Sequence, residues 1–397
     1  MSTPFHQLAA VFLKLGAISF GGPAAHIALM EDEAVQRRRW MEHGQFLDLV
    51  GVTHLLPGPN AVEMASHIGY RRAGLVGSVV AGTCFTLPAV LLALALAWTY
   101  QHFGRIPQVE PVLAGIKPAV LAVILAAVVR LGRKALGVWA TALAGFGVMA
   151  AVMAGCDELL AFLLGSLVGV LLLAVTRRSA KAGGAGLGLL APMAAAGSGS
   201  SASVGAAAAA SAPVSLATLG LFFLKVAFVM YGGGYVLVAY LEGDIVGDYG
   251  WMTRGQLLDA VAIGQITPGP MLSTATFVGY VLAGVPGAVV ATLGMLLPCF
   301  LVVAVANPLV PRLRRWPWTS RLLDAVNAAS VGLMMAVTVK LSSSALQEPA
   351  GPLGLDLPAC AIAVVAALLA IRWKVAPAWL VLLGAVAGML FGLVAGR

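Results

Sequence analysis

The chain is 397 residues long, 60% of them hydrophobic and 10% charged, with a formal charge of +8 and a mean hydropathy of +0.96. A soluble domain carries about 25% charged residues, so this chain has too few to cover a water-facing surface. That excludes a cytosolic enzyme, a nucleic-acid binder and a disordered scaffold, and points to a polytopic membrane protein.

Met1–Gly16 lacks a basic start and holds Lys14 inside its apolar stretch, so it does not read as a cleaved signal peptide. Short or interrupted apolar segments lie at 5–20, 24–36, 45–56 and 60–70. Longer runs follow at 73–103, 112–129, 136–154 and 159–175, most of them able to cross about 30 Å of hydrocarbon as helices. Residues 179–213 are nearly all Ala, Gly and Ser, a composition that packs poorly and reads as a linker. The order then recurs, with short segments at 215–231, 235–246, 256–267 and 271–282 and long ones at 285–310, 322–341, 358–371 and 377–396. The cysteines, Cys84, Cys156, Cys299 and Cys360, form no CxxC pair and read as small buried hydrophobes.

The recurrence is a sequence repeat. FLKLGAISFGGP at 12–23 matches FLKVAFVMYGGG at 223–234, WMEHGQFLD at 40–48 matches WMTRGQLLD at 251–259, and LPGP at 56–59 matches TPGP at 267–270. The segments 69–88 and 279–298 share 10 of 20 positions. The offset is 211 through the PGP and 210 after it. The expected organisation is one repeat at 1–178, a linker at 179–213 and a second repeat at 214–397.

Basic clusters separate the apolar runs, as cytoplasmic loops do under the positive-inside bias. The run 73–103 begins beside Arg71-Arg72, whereas its partner 285–310 ends at Arg312–Arg315. Likewise 24–36 runs into Arg37–Arg39 while 235–246 runs into Asp244 and Asp248. Matched elements thus point in opposite directions, and an all-α inverted-topology repeat is expected. It needs an odd number of crossings per half, which five satisfy if 5–36 is one span broken at Gly21-Gly22. Basic residues flank 45–70 on both sides, so this segment is expected to enter and return as a re-entrant pair of half-helices, with 256–282 as its mirror.

Proline lacks an N–H and clashes with the preceding turn, so Pro57-Gly58-Pro59 and Pro268-Gly269-Pro270 must break their helices. Pro59 suits the first position of a new helix, leaving the amides of Asn60, Ala61 and Val62 in need of an acceptor. The second copy offers Met271, Leu272 and Ser273, with Thr274 and Thr276 behind. The positive helix end makes an anion a fitting acceptor. Gly21-Gly22-Pro23 and Gly232-Gly233-Gly234 repeat the logic, because glycine ends a half-helix and admits a ligand closely. Paired broken helices in inverted repeats are the layout of secondary transporters.

Lys14 and Lys225 occupy matched apolar positions, and Lys117 lies inside 112–129; each is a candidate cation for an anion, with snorkelling as the alternative for the first two. Arg130 and Lys340 are matched at span ends and read as anchors. Glu31, Glu242, Glu63 and His26 are candidate coupling groups, with His54 and His67 weaker ones. Asp48 and Asp259 are matched acids that read as partners of basic groups. Neither a nucleophile elbow, a metal-ligand cluster nor a P-loop occurs, so neither an enzyme nor a bound cofactor is expected.

FGGP at 20–23, LLPGPN at 55–60, YGGG at 231–234 and TPGP at 267–270, in a duplicated chain, resemble the chromate ion transporter family in its long two-domain bacterial form. The resemblance spans all but the linker, with Gly234 departing from Pro23. It implies a secondary transporter that exports chromate across the bacterial inner membrane and confers chromate resistance. The residues alone reach only a small oxyanion, so sulfate or another small anion, exchange, and a channel stay open, as does a homodimer.

Overall fold

The computed structural model describes residues 5–20, 23–53, 56–103, 110–181, 214–231, 233–313, 317–346 and 356–394. Gly21, Gly22, His54, Gly232 and the linker from 182 to 213 lie outside them.

The described chain is helical throughout. In the first half, α1 (Phe5–Ile18) precedes α2 (Pro23–Glu31), which widens into a π-helical stretch, Asp32–Arg37. Next come α3 (His43–Thr53), α4 (Asn60–Phe103), α5 (Glu110–Ala135), α6 (Trp139–Met153) and α7 (Glu158–Lys181). The second half repeats the order. It has α8 (Leu216–Val229), then α9 (Val236–Tyr240) with its own π-helical continuation Leu241–Asp248, and α10 (Arg254–Ile266). It ends with α11 (Ser273–Leu313), α12 (Pro317–Leu346), α13 (Leu357–Arg372) and α14 (Pro377–Val394). Five described helices are long and apolar enough to cross a membrane: α4, α5, α7, α11 and α12.

Helices α4 and α11 are each two helices joined by a sharp turn. Ala73 (φ −148°, ψ 28°) and Gly74 (63°, −153°) leave the helical region, and so do Ala283 (−145°, 26°) and Gly284 (63°, −154°). Eight residues of straight helix rise about 12 Å. Yet a Cβ on Gly69 would meet the carbonyl oxygen of Gly77, and one on Gly279 that of Gly287. The chain therefore doubles back. The short arms, 60–72 and 273–282, lie against the long arms, 75–103 and 285–313. The same two dihedral pairs at an offset of 210 show that the backbone, as well as the sequence, is repeated.

The short arms and α3 and α10 are about 15–20 Å long, too short to cross hydrocarbon alone. In the first half they start and finish together, because Arg72 donates to the Trp40 carbonyl at 3.3 Å, and Arg38 and Arg72 both stack on the Trp40 ring. The second half's short arm finishes elsewhere: Gln101, near the far end of the long arm of α4, donates to the Val281 carbonyl. Some 27 residues of helix, about 40 Å, separate those two points.

The halves interlock. Helices α13 and α14 of the second half clasp α5 of the first, while α6 and α7 of the first clasp α12 of the second. Small residues permit the approach, with Gly115 against Gly384 and Gly388, and Gly169 against Ala325. The long arms of α4 and α11 complete the centre. Outside, Leu163, Leu164, Leu167 and Leu171 on α7 and Leu383, Val386 and Leu390 on α14 are exposed, a surface suited to acyl chains rather than water. Cys299 is buried and Cys84 and Cys360 half-buried, but Cys156 is exposed, contrary to its reading as a core residue. It follows α6 in a short connection to α7, where nothing packs over it.

Candidate functional site

The four helix breaks meet at the centre, and the two halves are stitched there by a reciprocal pair of hydrogen bonds. The Gly58 amide donates to the Met230 carbonyl at 2.7 Å, and the Gly269 amide donates to the Ser19 carbonyl at 2.7 Å. Ser19 and Met230 are matched residues, as are Gly58 and Gly269, so each PGP is fastened to the glycine-rich break of the other half. Only glycine adopts these positions readily, with φ of +135° at Gly58 and +93° at Gly269.

The meeting point encloses a cavity of about 40 Å³. Its wall takes residues from every break: Ser19 and Pro23, Pro59, Asn60 and Ala61, Met230, Gly234 and Tyr235, and Gly269, Pro270, Met271 and Leu272. His26, Leu237, Gly264, Gln265, Thr267, Met295 and Pro377 complete it. The polar groups are hydroxyls, amides and one imidazole. Tyr235 donates to the Gln265 carbonyl oxygen at 3.3 Å, and Gln265 donates to the Met271 sulfur at 3.4 Å. The Thr267 hydroxyl reaches the Ser273 hydroxyl at 2.8 Å. His26 is buried with its ring edge-on to Phe85, centroids 5.7 Å apart.

The first turns after the two PGPs are tighter than the sequence led us to expect. Val62 donates to the Pro59 carbonyl at 2.8 Å and Ser273 to that of Pro270 at 3.2 Å, so these amides are satisfied within their own helix ends. The amides of Ala61, Met271 and Leu272 have no acceptor among the described residues. They belong to lining residues and leave the donor end of each half-helix at the cavity.

The lysines lie elsewhere. Lys14 pairs with Glu33 at 3.9 Å, and its match Lys225 pairs with Asp244, the match of Glu33, at 2.7 Å. Neither lines the cavity. Nor does Lys117, whose ammonium sits beside Gly255 at the start of α10 and close enough to Asp259 to act on its charge. The Tyr100 hydroxyl donates to Asp259 at 2.9 Å.

The carboxylates also fall into matched pairs. Glu31 accepts from His43 at 2.9 Å, and Glu242, the match of Glu31, accepts from Arg254, the match of His43, at 3.1 Å. Lys340 adds a second cation in the second half, 3.2 Å from Glu242 and 3.1 Å from Glu158. Its match Arg130 is exposed. Asp157 and Asp248 bring carboxylate oxygens within 4.8 Å of Asp244, whose charge Lys225 balances. Partial burial, then Asp244 and Asp157, hold the Asp248 carboxyl above the usual carboxylate range.

Glu63 is the exception among the acids. It is wholly buried, and neither carboxylate oxygen has a hydrogen-bond partner. An ionised carboxylate so placed costs several kcal/mol, whereas the neutral acid costs much less.

The sequence singled out Pro23, Pro59, Asn60, Ala61, His26, Gly234, Gly269, Pro270 and Met271, and all nine line one cavity. Pro57, Gly58, Val62, Gly233, Pro268, Ser273 and Thr274 are close neighbours of the lining residues in the chain but do not themselves line the cavity. Ser19, Tyr235, Gln265 and Thr267 went unrecognised. Ser19 carried a usable signal, since it immediately precedes the first break, as its match Met230 does the second.

A family model described as Chromate transporter matches residues 6–175 and 217–389. The chain is 35% identical over 373 residues to a chromate transport protein of Pseudomonas aeruginosa, covering 91% of this chain and 87% of that one. It is 30% identical over 400 residues to the chromate transport protein of Cupriavidus metallidurans, covering 98% and 92%. A probable chromate transport protein of Synechococcus elongatus is also 30% identical over 400 residues, covering 97% and 95%. No solved structure matches.

Proposed function

We propose, from the premise that this chain belongs to the chromate transporter family, that it is a secondary transporter carrying a tetrahedral oxyanion, chromate first, through the cavity between its four helix breaks. The single observation that carries the reading is the reciprocal Gly58–Met230 and Gly269–Ser19 bonding around that cavity. It makes one site from two halves, at the depth where both sets of half-helices end. The direction is export across the bacterial inner membrane, and the physiological result is chromate resistance.

An oxyanion suits the wall. Half-helix donor ends offer the amides of Ala61, Met271 and Leu272, while Asn60, Gln265, Tyr235, Ser19 and Thr267 offer neutral donors. A dianion held by dipoles instead of buried lysines leaves again without breaking an ion pair. Sulfate has the same shape and charge, so exchange of the two anions on this site is the second reading.

We take the two halves to be an inverted-topology repeat, with 43–72 and 254–282 as re-entrant hairpins from opposite faces. The contacts of Arg72 with Trp40 and of Gln101 with Val281 support this, as they lie at opposite ends of the long arm of α4. Alternating access then tilts one hairpin and its clasping helices against the other.

Chromate uptake into everted membrane vesicles tests the site. Asn60→Leu and Gln265→Leu, at equal protein levels, lower the initial rate at least tenfold; unchanged rates in both would remove the cavity from the pathway. Reporter fusions at residues 40 and 250 give opposite sidedness, and the same side for both would end the inversion.

A further inference from the structure

The carboxyl of Glu63 stands behind the first PGP. Its Oε1 lies 2.5 Å from where a Cβ on Gly58 would stand, so the bare backbone of Gly58 is what admits it. Pro59, Asn60 and Ala61, the residues between Gly58 and the turn that carries Glu63, are cavity wall. Among the described residues no ammonium or guanidinium pairs with it. The ionisable groups that face it are Tyr231 from the second half's glycine break and Cys299 from the long arm of α11. On its own helix His67 follows one turn later, also fully buried, with Arg71 beyond. At the matched place in the second half stand Ser273 and Thr274, neither of which carries a charge.

We propose that Glu63 is a proton-binding site and that its proton travels with the oxyanion. The inference rests on the cavity being the oxyanion site. An anion in that cavity and an ionised Glu63 would repel one another across a single layer of backbone, in a medium that screens poorly. Binding of the anion therefore favours the protonated acid, and by reciprocity the proton strengthens anion binding. The balance is simple. Water on the loading side supplies the proton to Glu63, water on the release side accepts it, and no bond to the anion forms or breaks. One dianion then moves with one proton, and the charge carried falls from two negative charges to one. Because hydroxyl residues, Ser273 and Thr274, replace the acid, the second half adds no further proton.

The test uses the full chain in liposomes, with radiolabelled chromate as probe and the membrane potential clamped. Each variant is read as its own ratio: chromate flux with acid on the loading side, divided by flux at equal pH. The wild type gives a ratio of at least five for a gradient of one pH unit, and Glu63→Gln gives a ratio of one. A ratio above three in Glu63→Gln overturns the proposal, as does a wild-type ratio of one. Should Glu63→Gln fail to fold, infrared difference spectra of the wild type decide. A carboxylic-acid carbonyl band that shifts on adding chromate at neutral pH supports the proton site, and absence of any such band overturns it. Gln265→Leu separates the two readings, because an unaltered chromate flux in that variant rejects the cavity while the wild-type pH ratio still reports on Glu63.

Discussion

The two halves share a backbone and differ in what they bury. Their turns at Ala73-Gly74 and Ala283-Gly284 agree to within 3° in every dihedral, and their PGP amides make equal bonds across the centre. Yet the short arm of the first half hides an unpartnered acid, Glu63, with Ser66 and His67 on the same side of the helix one turn on. The short arm of the second half hides only hydroxyls: Ser273 reaches Thr267 and Thr276 reaches Thr292, each at 2.8 Å, while the Thr274 hydroxyl has no partner among the described residues. Charge shows the opposite asymmetry. In the second half Arg254, Glu242 and Lys340 form a network that reaches across to Glu158 of the first half's α7, where the first half has the half-buried Glu31 paired with His43 and an exposed Arg130. Duplication fixed the geometry of the breaks; divergence gave one half a group that can titrate and the other a charge lock.

Breaking that lock is expected to produce the largest effect on stability. Lys340→Met leaves Glu242, 2% exposed at its side chain, with Arg254 alone, and leaves Glu158 without its cation. Removing one member of a buried ion network costs about 3–5 kcal/mol. Arg130→Met, at the matched exposed position, costs about 0–1 kcal/mol. Thermal unfolding in detergent, followed by tryptophan fluorescence, reads the difference. Equal melting temperatures would show that the network is decoration.

Next in size are the central glycines. Gly58→Ala and Gly269→Ala force a side chain into positive φ, and each costs about 1–3 kcal/mol. The two differ in surroundings. A Cβ at Gly58 runs into Glu63, while one at Gly269 meets the Ala89 side chain at 3.2 Å. Transport is expected to fall more than tenfold in Gly58→Ala and less in Gly269→Ala. A reversed order would place the more demanding break in the second half.

Much of this comparison was legible in the sequence. The repeat and the helix breaks follow from Pro-Gly-Pro spacing and hydropathy, because proline's missing N–H acts locally; Glu63 was legible as a candidate, but its burial without a partner was not. The clasp of α13 and α14 on α5 was not legible. In a membrane protein both the lipid-facing and the protein-facing sides of a helix are apolar, so periodicity does not tell them apart. The lysines misled for a related reason. Lys14 and Lys225 each find an acid 19 residues ahead, across a glycine break and a change of helix direction, and no helical spacing announces such a partner. Tyr235 was missed because its match, Ala24, is apolar, whereas Gln265 carried a signal in its match, His54.

Those lysines also supply the smallest test of the asymmetry. Lys225 holds Asp244 at 2.7 Å with its side chain 40% exposed, while Lys14 stands 3.9 Å from Glu33 and is 55% exposed. Glu33 has a closer cation in Arg38, at 2.8 Å, so losing Lys14 leaves that carboxylate paired. Asp244 lies within 4.8 Å of the carboxylates of Asp157 and Asp248, and losing Lys225 exposes it to both. Lys225→Ala is therefore expected to destabilise by about 1 kcal/mol and Lys14→Ala by about 0.3 kcal/mol or less. Salt provides the internal control. At 1 M the screening length is about 3 Å, so the partly exposed Lys225 pair loses most of its advantage and the two variants converge. Acid provides another. Asp248 holds its proton to higher pH than an ordinary aspartate, so lowering the pH neutralises it early and relieves the repulsion around Asp244. The penalty of Lys225→Ala thus shrinks as pH falls through the carboxylate range, whereas that of Lys14→Ala, with Arg38 still in place, stays nearly flat. Parallel pH profiles for the two variants would mean that the acidic cluster exerts no force on the pair.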